Sequence, residues 1–235
     1  MASDPTSGTP LILAHRGGNG PWRENTLAAF TGAIASGADG VELDVRLTVD
    51  GVPVVHHDPV VASSTPIAGT EAVSLPDWVP TLVDALACCN GYVVNVELKV
   101  DRGEDAPAQC DRLAEAVVPL LRDRARVVVS SFWPAALQAV ADTGAEVATG
   151  LLVHPGLDPA GFLDTAVALG CRALHPHFSW VSSALVDRAH QGGLVVTAWT
   201  VNTEPEVIAA LASGVDGLIT DDVAGVLAAC GRSRP

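Results

Sequence analysis

The sequence has no long apolar run and no cluster of basic residues. No segment reaches the roughly 18 continuous apolar residues of a membrane span, and the first ten residues, MASDPTSGTP, lack the basic and apolar parts of a secretion signal. Lysine and arginine number 13 against 27 aspartates and glutamates, for a formal net charge of -14. We therefore expect a cytoplasmic protein with no nucleic-acid partner and no membrane insertion.

Cysteine is present but follows no pairing or metal-binding pattern. The five cysteines form an odd set, and two of them, Cys88 and Cys89, are adjacent in the chain. We expect no disulfide framework, which fits a reducing compartment.

Charged residues are also few, at 17%, whereas hydrophobic residues make up 49% of the chain. This balance gives no sign of disorder and supplies a large core. The 235 residues are close to the roughly 250 of a (β/α)8 barrel. We expect one barrel domain over residues 11–230, an N-terminal tail over 1–10 and a frayed C-terminal tail over 231–235.

Short apolar runs alternate with longer segments of helical spacing that stop at glycine. Examples of these segments are ENTLAAFTGAIASG and EPEVIAALASG. The alternation predicts an α/β protein, a TIM barrel whose parallel strands are covered by helices. The eight runs expected as strands are LILA (11–14), VELDV (41–45), VVNVEL (93–98), RVVVSS (126–131), VATGLLV (147–153), RALHP (172–176), LVVTAWTV (194–201) and GLIT (217–220).

The connection after the second run interrupts this rhythm. Asp50-Gly51 lies between VELDVRLTV and VPVVHH, and such a pair between apolar runs is typical of a β-hairpin. We expect a small insertion over residues 46 to about 80, with a loop from Val61 to Pro80 and a helix from about Thr81 to Cys89.

Several of the runs carry polar residues at the end where barrel enzymes place their catalytic groups. Glu42 and Asp44 are two apart and face the same side of a strand, as do Glu97 and Lys99. Three neighbouring carboxylates predict one divalent cation, Mg2+ or Ca2+. Lys99, the only lysine, is expected to bind an anion. The alternative is that Glu42 and Asp44 face solvent and pair with Arg46.

Two histidines could exchange protons near neutral pH. The first apolar run closes on His15, followed by Arg16, whose planar fork suits phosphate, and by Gly17-Gly18, which would let the backbone approach a ligand. His57 ends the inserted hairpin. The pair predicts general acid–base chemistry and favours phosphoryl transfer. The alternatives are another metal-assisted barrel reaction and a non-catalytic barrel.

Together these motifs resemble the glycerophosphodiester phosphodiesterase family. The likeness rests on HRGG at 15–18, ENTLAAF at 24–30, GADGVELDV at 37–45, DGVPVVHHD at 50–58 and NVELK at 95–99. It continues in SSF at 130–132, AWTVN at 198–202 and GVDGLITD at 214–221. The resemblance implies a (β/α)8 barrel with a small insertion after the second strand. It also implies metal-dependent cleavage of a small glycerophosphodiester to glycerol 3-phosphate and an alcohol.

The resemblance also implies a role for each site residue. Glu42, Asp44 and Glu97 would hold the metal, His15 and His57 would act as acid and base, Arg16 and Lys99 would bind the phosphate, and Phe132 and Trp199 would line the pocket for the glycerol or the leaving group. Acid and base are not assigned between the histidines. The nucleophile, water or the glycerol 2-hydroxyl, is open too, as are the metal, the headgroup and the oligomeric state.

Neighbouring histidines raise two further questions. His56 precedes His57, and because side chains alternate in a strand only one should face the site; the H-D pairing favours His57. His175 and His177 form an H-x-H pair, which would suit a metal site of the amidohydrolase kind.

Two further alternatives for the function are a phospholipase D-like barrel acting on lysophospholipid or sphingomyelin, and a binding barrel without catalytic activity.

Overall fold

The computed structural model describes residues 9–62, 64–103 and 105–232. In chain order its strands are β1 (Leu11–His15), β2 (Gly40–Leu47), β3 (Pro53–Val55), β4 (Val60–Val61), β5 (Thr65–Pro66), β6 (Val93–Leu98), β7 (Val127–Ser131), β8 (Ala148–Val153), β9 (Ala173–Pro176), β10 (Val195–Ala198) and β11 (Gly217–Thr220). Its α-helices are α1 (Leu27–Ala35), α2 (Leu82–Cys88), α3 (Ala106–Val117), α4 (Pro134–Asp142), α5 (Pro159–Ala168), α6 (Ser183–Gln191), α7 (Glu204–Ala212) and α8 (Val223–Ala229).

Eight of these strands close into a parallel barrel. The order is β1-β11-β10-β9-β8-β7-β6-β2, and β1 pairs with both β11 and β2. A helix follows each barrel strand along the chain. All eight predicted strands are therefore present, and the (β/α)8 TIM barrel is confirmed. The run LVVTAWTV, expected as a strand over 194–201, ends as a strand at Ala198. It ends there because the backbone N–H of Trp199 donates to the oxygen of Pro176 on one side, whereas that of Val201 donates to the oxygen of Ile219 on the other.

The strands are buried on both faces, as parallel barrel strands must be. On β2, Val41, Leu43 and Val45 belong to the main hydrophobic core, and the alternate residues Glu42 and Asp44 are also buried. Apolar residues thus pack under the helices while polar residues of the same strand face the barrel axis. This alternation delivers carboxylates to the inside of the barrel.

The predicted insertion begins with an antiparallel hairpin of β2 and β3. Val45 pairs with Val55, and Gly51 adopts a φ of 75°, the left-handed conformation that favours glycine in such a turn. The hairpin and the helix after Thr81 are confirmed. The stretch expected to be a loop is more ordered than that, with a short β4–β5 ladder and 3-10 turns at Ile67–Gly69 and Ala72–Ser74.

A second small core explains that order. It consists of the buried residues Val54, Val61, Ile67, Leu75 and Val79. The apolar residues scattered through a Ser/Thr/Pro-rich segment therefore share one cluster, which the sequence pattern alone did not reveal.

The remaining expectations concern the termini and the cysteines. The predicted tails lie largely outside the described residues, which begin at residue 9 and end at residue 232. All five cysteines are free thiols, as predicted. No helix in the described parts of the chain combines the length and the apolar character needed to cross a membrane.

Candidate active site

Three buried carboxylates converge at the C-terminal ends of β2 and β6. Asp44 is the register partner of Glu97 on the neighbouring strand, and Glu42 lies two residues before Asp44 on the same face. One ligand oxygen from each of the three lies within 4.8 Å of the other two. Their exposures are 3% for Glu42, 0% for Asp44 and 8% for Glu97. The structure thus brings together the predicted metal ligands.

The electrostatics of this cluster fit a bound cation. Oε1 of Glu42 is buried and accepts no hydrogen bond from the described residues. Burial, together with the charge of Asp44, raises the pKa of Glu42 to about 8. Burial and Asp44 also raise the pKa of Glu97. Closely spaced carboxylate oxygens are the donors that Mg2+ and Ca2+ prefer, and a cation would relieve their repulsion. The triad could therefore bind a metal ion.

Two cations border the triad. Nζ of Lys99 lies 2.7 Å from Oε1 of Glu97 and 3.3 Å from Oδ1 of Asp44, and Nε of Arg16 lies 3.1 Å from Oδ2 of Asp44. Although burial disfavours its charge, these cations hold the pKa of the Asp44 carboxyl below its usual value. An anion bound to a metal ion at the triad would thus lie close to Lys99 and Arg16.

Arg46 does not pair with the triad, so the alternative of solvent-facing carboxylates paired with Arg46 is wrong. Its Nε donates to the backbone oxygen of His57 at 2.8 Å, and its Nη1 lies 2.8 Å from Oδ1 of Asp101. The arginine anchors the segment that carries His57 instead.

His15 is held by a carboxylate from the far end of the chain. Its Nδ1 lies 2.6 Å from Oδ1 of Asp221, directly after β11, and its Nε2 lies 3.9 Å from Oε2 of Glu42. Burial opposes protonation, but Asp221 and Glu42 outweigh it and raise the pKa of His15. Asn202 in turn donates from Nδ2 to Oδ2 of Asp221 at 2.7 Å. The ring is fixed with Nε2 toward the carboxylates.

His57 has a carboxylate partner of its own. Its Nδ1 lies 2.8 Å from Oδ1 of Asp58. Burial lowers the pKa of the imidazole, and the charges of Asp44 and Lys99 also act on it, which places it beside the triad. His56 instead packs near Trp78, at 5.8 Å between ring centroids. The choice of His57 over His56 agrees with this geometry and with the H-D pairing behind it, but the expected strand alternation is wrong. Strand β3 ends at residue 55, so a bend and not strand alternation separates the two rings.

The two glycines after Arg16 lie in a closely packed turn. A Cβ on Gly17 would lie 2.6 Å from the Cβ of Ala29 in α1, and one on Gly18 would lie 3.1 Å from the backbone oxygen of Asp221. Both glycines have positive φ angles, 91° and 78°. The turn is therefore shaped to bring His15 close to α1 and to the segment after β11.

Asn25 is a buried polar residue to which the sequence assigned no role. Its Nδ2 donates to Oδ2 of Asp44 at 2.7 Å, and its Oδ1 accepts from the backbone N–H of Asp44 at 3.2 Å. These two bonds fix the carboxylate of Asp44. The only available signal was the ENT motif, which the resemblance included without a function.

Phe132 and Trp199 form an aromatic wall directly after the C-terminal ends of β7 and β10. Their ring centroids are 5.4 Å apart in an edge-to-face arrangement, and both side chains are half-buried. Nε1 of Trp199 donates to the backbone oxygen of His175 at 2.8 Å. Neither ring belongs to the main hydrophobic core.

Comparison with known proteins decides the family. The model of the glycerophosphoryl diester phosphodiesterase family matches residues 15–224, nearly the whole chain. The chain belongs to this family. The glycerophosphodiester phosphodiesterase of Caldanaerobacter subterraneus subsp. tengcongensis is 30% identical to it, over 90% of the chain and 94% of that protein. The glycerophosphodiester phosphodiesterase of Bacillus altitudinis is also 30% identical, over 89% of the chain and 94% of that protein.

Solved structures agree with this assignment. An Oleispira antarctica phosphodiesterase, in complex with the product sn-glycerol-3-phosphate, matches with a TM-score of 0.84 at 27% identity, over 97% of the chain and 99% of that protein. The glycerophosphodiester phosphodiesterase of Thermotoga maritima matches with a TM-score of 0.76 at 27% identity, over 92% of the chain and 96% of that protein. The predicted family, barrel and enzyme class, a phosphoric diester hydrolase, are confirmed.

The H-x-H pair, His175 and His177, does not form the amidohydrolase-type metal site that was considered as an alternative. His175 is buried inside the barrel, where burial lowers its pKa to about 4. His177 lies outside β9 and accepts from the backbone N–H of Ser179 at 3.3 Å. Neither belongs to the group of possible metal ligands found among the described residues.

Proposed function

We propose that the chain hydrolyses glycerophosphodiesters to glycerol 3-phosphate and an alcohol, with one divalent metal ion and with His15 and His57 as general acid and base. The observation that carries this proposal is that two carboxylate-held histidines lie near a buried carboxylate triad. The family supports the diester substrate class, as does the glycerol 3-phosphate bound to the Oleispira antarctica relative.

Glu42, Asp44 and Glu97 would hold the ion, Mg2+ or Ca2+, through carboxylate oxygens. When bound, such an ion stabilises negative charge on phosphoryl oxygens. Arg16 and Lys99 would bind the same phosphate from the side. Because the chain carries a formal charge of -14, these local cations would offset the long-range repulsion of an anionic substrate.

The two histidines would move protons at their Nε2 atoms, because Asp221 and Asp58 occupy the two Nδ1 atoms. One imidazole would take a proton from the nucleophile, either water or the glycerol 2-hydroxyl, and the other would protonate the departing alkoxide. Phe132 and Trp199 would pack against an apolar edge of the substrate. The substrate would be a small molecule met in the cytoplasm.

The test is the substitution of each histidine on a natural diester and on an activated one. We expect His15→Ala and His57→Ala each to lower kcat by roughly 10²- to 10⁴-fold, the usual contribution of a proton-transfer group. The double variant should fall little below the worse single variant, since both groups serve one step. His56→Ala is the matched control and should be mild, because that ring packs near Trp78.

A nitrophenyl phosphodiester then assigns the roles, since its leaving group needs no proton. The variant without the general acid should recover most of its rate on this substrate, whereas the variant without the general base should not. Unaltered turnover of the natural diester in both single variants, or equal recovery of both, would refute the acid–base assignment.

A further inference from the structure

Three polar side chains that the proposed mechanism does not use lie inside the barrel. Asn95 on β6, Ser130 on β7 and His175 on β9 are buried, with exposures of 1%, 0% and 3%. Both amide atoms of Asn95, Oγ of Ser130 and Nδ1 of His175 have no hydrogen-bond partner among the described residues. Because buried polar groups are almost always hydrogen-bonded, these side chains call for a bound ligand.

Asn95 stands beside Glu42 on the inner face of the barrel. Its chain neighbours Val94 and Val96 belong to the main hydrophobic core, so its own side chain points to the barrel axis. Asn95 pairs with Glu42 in the register of β6 and β2, and paired strands run about 4.8 Å apart. Oε1 of Glu42 also has no partner among the described residues, whereas Oε2 accepts from the backbone N–H of Arg16 at 3.1 Å. Two polar groups that need a partner are therefore neighbours.

Ser130 and His175 extend this polar lining toward β9. Ser130 pairs with Glu97 on one side and with Gly150 on the other. A Cβ on Gly150 would lie 2.8 Å from Nε2 of His175, so the imidazole occupies space that a larger residue would take. Burial lowers the pKa of His175 to about 4, which leaves a neutral ring that donates from one nitrogen and accepts at the other. The three side chains therefore offer donors and acceptors but no charge.

The chemistry of this lining selects water as its ligand. A metal ion would gain no anionic group from Asn95, Ser130 or His175, and an apolar ligand would leave their polar atoms unpaired. A water molecule donates and accepts at once, and buried waters make about three hydrogen bonds to groups that would otherwise be unsatisfied. A carboxylate oxygen has more than one lone pair, so Oε1 of Glu42 can accept from water and still coordinate an ion.

We propose that Asn95 is a positioning residue of the metal site, which holds the Glu42 carboxylate through a water molecule bound between the Asn95 amide and Oε1 of Glu42. The inference rests on the proposed function in one respect, because it takes Glu42 as a metal ligand. Asn95 itself touches neither the ion nor the diester. Without it the carboxylate would lose its support from inside the barrel and would bind the ion less tightly.

The test compares two substitutions of nearly equal shape at position 95. Asn95→Val removes both polar atoms, whereas Asn95→Thr keeps a hydroxyl that donates and accepts, and both new side chains suit a strand. Calorimetric titration of the metal-free protein with Mg2+ or Ca2+ alone measures the Kd of the ion. We expect Asn95→Val to raise this Kd about 10- to 100-fold, the usual effect of losing a residue that orients a metal ligand, and Asn95→Thr to stay within about 3-fold of the wild type.

Thr149→Val is the matched control for the loss of a buried hydroxyl. Thr149 is buried on β8, and its register partner Val129 belongs to the main hydrophobic core. It therefore faces the helices and not the barrel axis. This variant should bind the ion as the wild type does, and a Kd that rises as much as in Asn95→Val would show that any buried change weakens the site, which would overturn the inference.

A crystal structure of the wild type tests the water independently of any variant. An ordered water within hydrogen-bond distance of Oε1 of Glu42 and of the Asn95 amide would support the inference even if no diester is hydrolysed, an outcome that refutes only the proposed function. A direct bond between Asn95 and Glu42, no water at that position, or equal Kd values for Asn95→Val and Asn95→Thr would each overturn it. Failure of the wild type to bind either ion would overturn it together with the proposed metal site.

Discussion

At the scale of single residues, the two candidate catalytic histidines depend on carboxylates that lie at very different sequence distances. His57 is held by the adjacent Asp58, whereas His15 is held by Asp221, 206 residues away. Asn202 adds a bond that orients Asp221. An imidazole held at Nδ1 has a defined tautomer and orientation, so its Nε2 is available for proton transfer.

We predict that Asp221→Asn lowers kcat by about 10- to 100-fold, the usual effect of losing a group that orients a functional histidine. The pH profile of kcat should also move, because Asp221 raises the pKa of His15; without it that pKa should fall. The control is Asp222→Asn, since Asp222 accepts the backbone N–H of Gly225 at the start of α8 and does not contact His15. An unshifted profile in Asp221→Asn would show that the carboxylate has no influence on the imidazole.

The sequence revealed the site residues that sit in compact motifs, and missed those that join distant segments. HRGG, VELDV and NVELK each place a chemical group beside a recognisable strand end. Asp221, and Asn202 through it, contacts His15 only after the barrel closes, since β1 and β11 become neighbours at that point. Asn25 acts through Asp44 on the next strand, 19 residues along the chain. Asp221 also follows a barrel strand, so the same rule about strand ends could have found it.

At the scale of elements, β2 contributes the most to the candidate active site, with two of the three triad carboxylates. It presents Glu42 and Asp44 inward while its apolar residues pack outward, and it lies between β1 and β6. Gly40 begins this strand opposite Val93. A Cβ at Gly40 would overlap the backbone oxygen of Val93, so only glycine permits the close approach of the two strands.

We predict that Gly40→Ala lowers the free energy of unfolding by about 1–3 kcal/mol, the usual cost of forcing an extra group into a packed interior. The control is Gly161→Ala in α5, where a Cβ meets nothing within 4 Å. That change should stabilise the protein by about 0.5–1 kcal/mol, because alanine is the better helix former. Chemical denaturation measures both, and a common sign for the two variants would contradict the argument.

Element types were predictable because each strand and helix has its own hydrophobic period. The eight strands, the hairpin at Asp50-Gly51 and the helix after Thr81 all follow from local patterns. The β4–β5 ladder and the small core around Ile67 did not, since that core joins residues from Val54 to Val79 that share no period. The separation of His56 from His57 was likewise decided by a bend after β3.

At the scale of the whole molecule, the barrel buries three carboxylates in a chain of formal charge -14. Their mutual repulsion is a cost that the folded protein bears and the unfolded chain does not. Metal binding and folding should therefore be linked, because an ion held by the folded state alone stabilises it in proportion to the logarithm of its concentration.

The sign of the pH effect follows from the pKa of Glu42, which burial raises from 4.5 to about 8 in the metal-free protein. Between these values the folded protein keeps a proton that the unfolded chain has released, so stability falls as pH rises. His15, whose pKa is also raised, acts in the same direction. The lowered pKa values of His57, His175 and His177 act oppositely, chiefly below about pH 7, so the effect of Glu42 is largest relative to theirs toward pH 8.

We predict that the free energy of unfolding of the EDTA-treated protein falls between pH 7 and 8, by at most about 1.4 kcal/mol per pH unit for each proton involved. Saturating Mg2+ or Ca2+ should raise stability, by about 2.7 kcal/mol at a hundred times Kd, and should flatten the slope because bound carboxylates stay ionised. Glu42→Gln should reduce the slope without metal, whereas Glu146→Gln, an exposed control, should preserve it. Urea denaturation at each pH provides the measurement. A metal-free slope of the opposite sign, or one that saturating metal leaves unaltered, would show that the triad is not the origin of the pH dependence.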